Sequence, residues 1–293
     1  MVTTPSGSWT GRKVLFIGDS LTARRVYPKV IKEILGIETV YHCKGGVGLK
    51  GMVDGENGID GSYDNETDAA GTLRPLNAWE VADMDLIVLY GGYNNRNLHI
   101  GKVGDRFEAD GSGDRTLAGL LQHAIDRIYE ELEKAGNLTC RLMIVTVDCS
   151  GKYPWVDADG YEEAEPGKGN SLEAMANMQK AVAAYNDLPC CDLFHTSGIN
   201  RRTWHIFGFE PNVDNPNFSP YRLDATGAPI STDRIRYQTG ECYYQHRDGK
   251  VVLEEYTGAA PYPYNGDQLH KSPAGYRRIG EVIAGAIIAA YGN

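Results

Sequence analysis

The stretch Lys13-Val14-Leu15-Phe16-Ile17-Gly18-Asp19-Ser20-Leu21-Thr22 decides how the rest of the chain is read. Val14 to Ile17 is a short apolar run, too brief for a helix of its own, bounded by Lys13 and Gly18. A buried strand has this form. Downstream, Val26 to Leu35 carries apolar residues at helical spacing and stops at Gly36, so the segment predicts a strand, a turn at Gly18 to Thr22, and a helix. Leu86 to Tyr90 and Leu142 to Val147 repeat the strand form, and Leu117 to Leu132 (stopped by Gly136) and Leu172 to Tyr185 repeat the helical one. Strands that alternate with helices predict a parallel sheet covered on both faces. Val40 to Cys43 and Asp192 to His195 are weaker strand candidates that bring the sheet to five. The last element, Ala274 to Tyr291, is an amphipathic helix with Ser272 as N-cap and Pro273 at the first helical position.

Two stretches break the alternation, residues 51–82 and 198–266, and both read as insertions into a single domain spanning residues 1–293. In the second, Arg234 to Gln245 and Val251 to Tyr256 flank Asp248-Gly249, a hairpin signal. Long loops in compact domains tend to be functional walls, which places substrate selection there.

Composition narrows the partners. A formal charge of -10 repels a polyanion, and the basic pairs Arg24-Arg25, Arg201-Arg202 and Arg277-Arg278 are short and scattered, so nucleic acid is not expected. The six cysteines form no Cys-x-x-Cys pair and sit beside apolar runs, which favours buried thiols. No basic-plus-apolar leader occupies Met1 to Gly11, no run approaches a membrane span, and a soluble protein is expected, with export after processing left open because a processed start would hide an export signal. The seven histidines include no close ligand pair; Asp157-Ala-Asp159-Gly160 and Asp110-Gly-Ser-Gly-Asp114 lack a full calcium-loop spacing, so neither metal nor cofactor is expected.

Two places carry chemistry. A serine at a strand-to-helix turn stands at the carboxyl edge of the sheet, where α/β folds bind ligands and a helix start presents N–H groups to negative charge. Ser20 is therefore a candidate nucleophile, and the competing reading makes it a simple N-cap. Near the other end, Asp267-Gln268-Leu269-His270 precedes the final helix, and a three-residue separation lets a carboxylate reach an imidazole. That is a base with its orienting group, or else a surface Asp and His at a helix entry. One motif follows the first strand and the other precedes the last helix, a coincidence that favours the catalytic reading of both.

Gly18-Asp19-Ser20-Leu21 together with Asp267-x-x-His270 resembles the first and last blocks of the SGNH/GDSL hydrolases. The resemblance implies a flavodoxin-like three-layer α/β/α sandwich around a mostly parallel five-stranded sheet. It implies ester hydrolysis without a cofactor, with Ser20, His270 and Asp267 catalytic. The family's Gly-x-Asn-Asp block is matched by Gly92-Tyr93-Asn94-Asn95, and its second-strand glycine by Gly48, with Gly46 as a neighbour. The oxyanion hole would then be the Ser20 and Gly48 N–H groups and the Asn94 amide. The departure is Asn95, where the family has Asp.

The substrate must come from the chain itself. The 198–266 insertion sets Trp204, Tyr221, Tyr237, Tyr243, Tyr244, Tyr262 and Tyr264 among polar residues, a mixture that suits a sugar better than an acyl chain. A carbohydrate O-acetylesterase is the leading expectation, with Tyr93, Asn95, Trp204 and Tyr264 as substrate contacts. A short-chain carboxylesterase or lipid esterase, an acyltransferase, and a catalytically silent carbohydrate-binding module stay open as alternatives.

Overall fold

Residues 9–55, 73–107, 113, 115–150, 170–200, 203, 207, 222–223, 229–231, 242–247, 250–255, 269–271 and 273–292 are described by the computed structural model. They fall into two compact units, one drawn from Met1–Asp148, Val156–Ser197 and Ile279–Asn293, the other from Cys149–Trp155 and Gly198–Arg278.

The first unit is built on five strands: β1 (Lys13–Gly18), β2 (Glu38–Cys43), β3 (Leu86–Tyr90), β4 (Arg141–Val145) and β5 (Cys190–Cys191). Their order is β2-β1-β3-β4-β5 and every pairing is parallel. Leu86 to Tyr90 are all buried, as a strand covered on both faces requires. Helix α1 is Ser20–Ala23, α2 Val26–Leu35, α3 Leu49–Asp54, α4 Ala78–Val81, α5 Leu117–Ala135, α6 Leu172–Tyr185, α7 Leu193–Thr196 and α8 Pro273–Tyr291. One face of the sheet carries α2 and the later part of α8. A side chain at Gly280 would stand 2.8 Å from the Tyr27 carbonyl, so the two helices cross closely. The Phe16 and Tyr27 rings meet edge to face at 5.8 Å beneath them.

The helix boundaries follow local chemistry. The Thr116 hydroxyl accepts from Gly119 N (3.0 Å) to start α5, and the Ser171 hydroxyl accepts from Ala174 N (3.2 Å) to start α6. Gly36 and Gly136 end α2 and α5 in the left-handed region, at φ 71° each.

The fifth strand differs from the expectation. Only Cys190–Cys191 pairs with β4, and Asp192 to His195 is not a strand. Asp192 caps a helix instead, its carboxylate accepting from His195 N at 3.3 Å, so the polar residue that was counted into a strand is the signal that ends it. The fourth strand likewise stops at Val145, and the Val147 N–H is taken by the Gln179 side chain at 2.8 Å. The described parts of the first stretch read as an insertion, residues 51–82, hold most of α3 and all of α4.

The second unit holds β6 (Arg222–Leu223), β7 (Pro229–Ser231), β8 (Cys242–Arg247) and β9 (Lys250–Glu255) in the order β7-β6-β8-β9. β8 and β9 pair antiparallel with Arg247 opposite Lys250, the hairpin expected around Asp248-Gly249. Ser272, the expected cap of α8, lies outside the described residues.

Gly18 sets a stability prediction. A β-carbon there would stand 2.5 Å from the Tyr90 carbonyl and inside the Thr22 side chain, so backbone would have to move. Gly18→Ala is expected to destabilise by about 2–3 kcal/mol, seen as a Tm lower by roughly 5–10 °C. An unchanged Tm would mean that β1 and β3 separate freely at this edge.

Candidate active site

Three chain segments leave the sheet side by side. Gly18 is in register with Cys43 on β2 and Tyr90 on β3, so the carboxyl ends of β2, β1 and β3 lie level. In a sheet of this order the direction of winding reverses between β1 and β3, and ligands bind at such a reversal.

From β1 the chain enters α1 through Asp19. The Asp19 side chain, buried, accepts from Leu21 N at 3.0 Å and is the N-cap of the helix. Ser20 is the first helical residue, half-buried, and the capping role that competed for it belongs to its neighbour. Gly45, from the loop after β2, approaches this serine: a β-carbon on it would lie 3.8 Å from Ser20 Cβ.

From β2 the chain passes through Gly45 to Gly48 into α3, with Gly48 in extended conformation as N-cap. Its N–H makes no hydrogen bond among the described residues. From β3 the chain passes Gly91 and Gly92 (φ 123°) into a single 3-10 turn, Tyr93–Asn95. Asn94 Nδ2 donates to the Val47 carbonyl (2.9 Å), and Asn95 Oδ1 accepts from Leu49 N (2.7 Å). These partners settle which way each amide points, because a carbonyl only accepts and a backbone N–H only donates. One hydrogen of the Asn94 amide remains beyond the Val47 bond. A β-carbon at Gly48 would stand 2.7 Å from Asn95 Nδ2, so a glycine lets the two loops close on each other. Gly48, rather than Gly46 with its left-handed φ of 82°, is the glycine locked to the Asn94-Asn95 turn.

This also accounts for Asn95 in place of the expected Asp. The local need is one acceptor oxygen for the Leu49 N–H, which a carboxamide meets as well as a carboxylate does.

Tyr93 is corrected as a substrate contact. It is 2% exposed, and its hydroxyl donates to the Asp148 carboxylate and accepts from Asp148 N at 2.7 Å. Tyr90 donates to the same carboxylate at 3.0 Å. Burial, then the nearby Asp148 charge, pushes both phenols well above their usual range, so they stay protonated donors. Gln179 completes the brace: its amide donates to the Gly91 carbonyl at 2.7 Å while its oxygen accepts from Val147 N. Sequence reasoning overlooked Asp148 and Gln179; the signal for Asp148 was a charged residue just past the largely apolar run Leu142 to Val147, at the carboxyl end of β4.

The structure thus brings Ser20, Gly48, Asn94 and Asn95 to one edge of the first unit. His270 belongs to the second unit, where it is 8% exposed between the buried residues Leu269 and Lys271. Asp267, Trp204 and Tyr264 lie outside the described residues. Three other histidines pair with carboxylates: His42 with Glu80, His123 with Asp54 and His195 with Asp192, each at 2.9 Å. Burial pushes the Cys140, Cys190 and Cys191 thiols up to about 12, so none of them is a thiolate nucleophile at neutral pH. Among the described residues no group of three or more His, Cys, Asp or Glu is placed to hold a metal ion, and no helix is long and apolar enough to cross a membrane.

No protein family matches the chain by sequence, and no curated protein does. Solved structures do. One, from Chitinophaga pinensis DSM 2588 and described as a possible lipase, superposes with a TM-score of 0.51 at 16% identity, covering 96% of this chain and 99% of that one. A GDSL-like lipase from Bacteroides thetaiotaomicron VPI-5482 aligns over 95% of this chain and 89% of its own, with a TM-score of 0.37 and 12% identity. The first likeness and the all-parallel β2-β1-β3-β4-β5 sheet give the chain a three-layer α/β fold, the one that the sequence resemblance to the SGNH/GDSL hydrolases implies.

Proposed function

We propose that this chain is a serine esterase that works through an acyl-enzyme on Ser20, and that its substrate is an O-acetylated carbohydrate. The observation that carries the reading is the convergence of Ser20, the Gly48 N–H and the Asn94 amide at the ends of three adjacent strands, with Asp19 taking the cap that Ser20 would otherwise provide.

In this reading Ser20 Oγ attacks the ester carbonyl and His270 accepts its proton. Asp267 holds the imidazole tautomer and balances the imidazolium. The carbonyl oxygen becomes an oxyanion that accepts from the Ser20 and Gly48 N–H groups and from Asn94 Nδ2. Collapse expels the alcohol, which takes the proton from His270. A water then repeats the cycle on the acyl-enzyme, releasing acetate and restoring Ser20. Orientation of the donors precedes the reaction: Val47 holds Asn94, and Asn95 holds the start of α3.

The sugar preference rests on the aromatic residues of the 198–266 insertion, Trp204 and Tyr264 among them, interspersed with amides and carboxylates. Asn95, bonded to Leu49 N, acts in it as a scaffold of the oxyanion loop.

The test is release of acetate from p-nitrophenyl acetate and from an acetylated xylan, beside hydrolysis of p-nitrophenyl octanoate. Turnover of both acetyl substrates with slow octanoate cleavage is the expected result. Fast octanoate cleavage with an untouched xylan would replace the sugar by a lipid or short-chain ester. Silence on all three would leave a carbohydrate-binding module.

A further inference from the structure

A pocket of about 290 Å³ opens beside Asn94 in the first unit, lined by Lys50, Asn94, Asn95, Asn97 and Arg115 over the apolar side chains of Leu98, Phe107 and Leu120. Its volume is at the small end of ligand sites, roughly 300–1,000 Å³. Among the described residues that line it there is no carboxylate, although the chain as a whole carries a formal charge of -10.

The two cations differ in what already neutralises them. Lys50 Nζ lies 3.0 Å from Asp54, but that carboxylate is shared with His123 at 2.9 Å and Arg127 at 3.4 Å. Arg115 is exposed and makes no ion pair among the described residues. The amides add direction. Asn95 Oδ1 is committed to Leu49 N, and neither its Nδ2 nor the Asn97 side chain makes a hydrogen bond among the described residues. A guanidinium without an ion pair, a lysine and carboxamide donors, with no acid among the described lining residues, form a receptor for an anion that has several acceptor oxygens.

We infer that this pocket binds a carboxylate on the substrate next to the ester being cleaved, with Arg115 as the specificity-determining residue, so that the carbohydrate is an acetylated sugar acid. The inference rests on the esterase reading through Asn94, which lines both the pocket and the proposed oxyanion hole. A neutral sugar would leave the guanidinium without a counter-charge, whereas a carboxylate takes it in a forked pair.

The experiment compares acetate release from an O-acetylated oligogalacturonate with release from the same oligosaccharide after methyl esterification of its carboxylates. p-Nitrophenyl acetate is assayed in parallel, and binding of the unacetylated oligogalacturonate is followed by calorimetry. Wild type is expected to prefer the acid by about 10- to 100-fold in kcat/KM. Arg115→Ala should bring that ratio close to one and weaken the oligogalacturonate by at least about tenfold, with its Tm unchanged. Arg115→Lys should restore part of both. Turnover of p-nitrophenyl acetate with equal rates on acid and methyl ester, and no calorimetric binding, would overturn the carboxylate pocket and leave the esterase standing. Binding that depends on Arg115 in a protein inactive on every ester would do the reverse.

Discussion

Ser20→Ala loses on the order of 10⁴- to 10⁶-fold in kcat on p-nitrophenyl acetate, the scale on which a triad nucleophile is missed, while its Tm stays within about 1–2 °C of wild type. The two halves of this expectation come from different atoms. The rate falls because without Oγ no acyl-enzyme forms and water must attack unaided, with only the oxyanion donors left to help. The Tm holds because Asp19, not Ser20, accepts from Leu21 N and satisfies the start of α1. Asp19→Ala is the mirror experiment: it removes a buried cap and should destabilise by about 1 kcal/mol. Kinetics and thermal unfolding on the two variants check both statements. A Ser20→Ala protein that is unstable and still active would return the serine to a structural role.

The centre of the sheet could be read from sequence because β1, β3 and β4 are buried along nearly their whole length and therefore appear as apolar runs. Val14 to Ile17 lies within β1, and Leu86 to Tyr90 is β3 to the residue. α2 and α6 fall at the predicted boundaries because Gly36 and Ser171 are chemical end signals. β5 was misplaced since a two-residue edge strand has no periodicity to detect, and the Asp192 cap beside it was taken for strand. The cost of reading apolar runs without end signals is visible there and in β4, which stops at Val145 and not at Val147.

The site was readable where the covalent order itself places residues, as with a serine two past β1 or an asparagine four past β3. Partnerships across the sheet were not. Nothing in the spacing of Gly48 and Asn95 says that one loop fills the gap left by the other, because that contact depends on β1 lying between β2 and β3. Tyr93 failed for the same reason: an aromatic residue in a glycine-rich loop reads as a platform until its hydroxyl is seen on Asp148. Arg115 sits ahead of α5, outside every motif, and only the folded pocket gives it a neighbour in Asn94.

Asn94→Ala should lose about 100- to 1000-fold in kcat, the effect of removing one oxyanion donor, with KM changed far less. The split follows from when the bond is made. The ester carbonyl is a weak acceptor before attack and an oxyanion after it, so a donor aimed at the latter contributes to the transition state and little to binding. Stability should change little: Asn94 is exposed, and among the described residues its side chain makes a single neutral hydrogen bond, to the Val47 carbonyl, worth about 1 kcal/mol. Asn94→Asp sharpens the test, because it keeps the shape and sets a negative charge against the developing oxyanion. Its kcat should fall at least as far as that of Asn94→Ala. Steady-state kinetics with thermal unfolding on both variants measure this directly. Equal losses in kcat and Tm would make Asn94 a brace for the Gly45–Gly48 loop, and a rate near wild type in Asn94→Ala would remove it from the site.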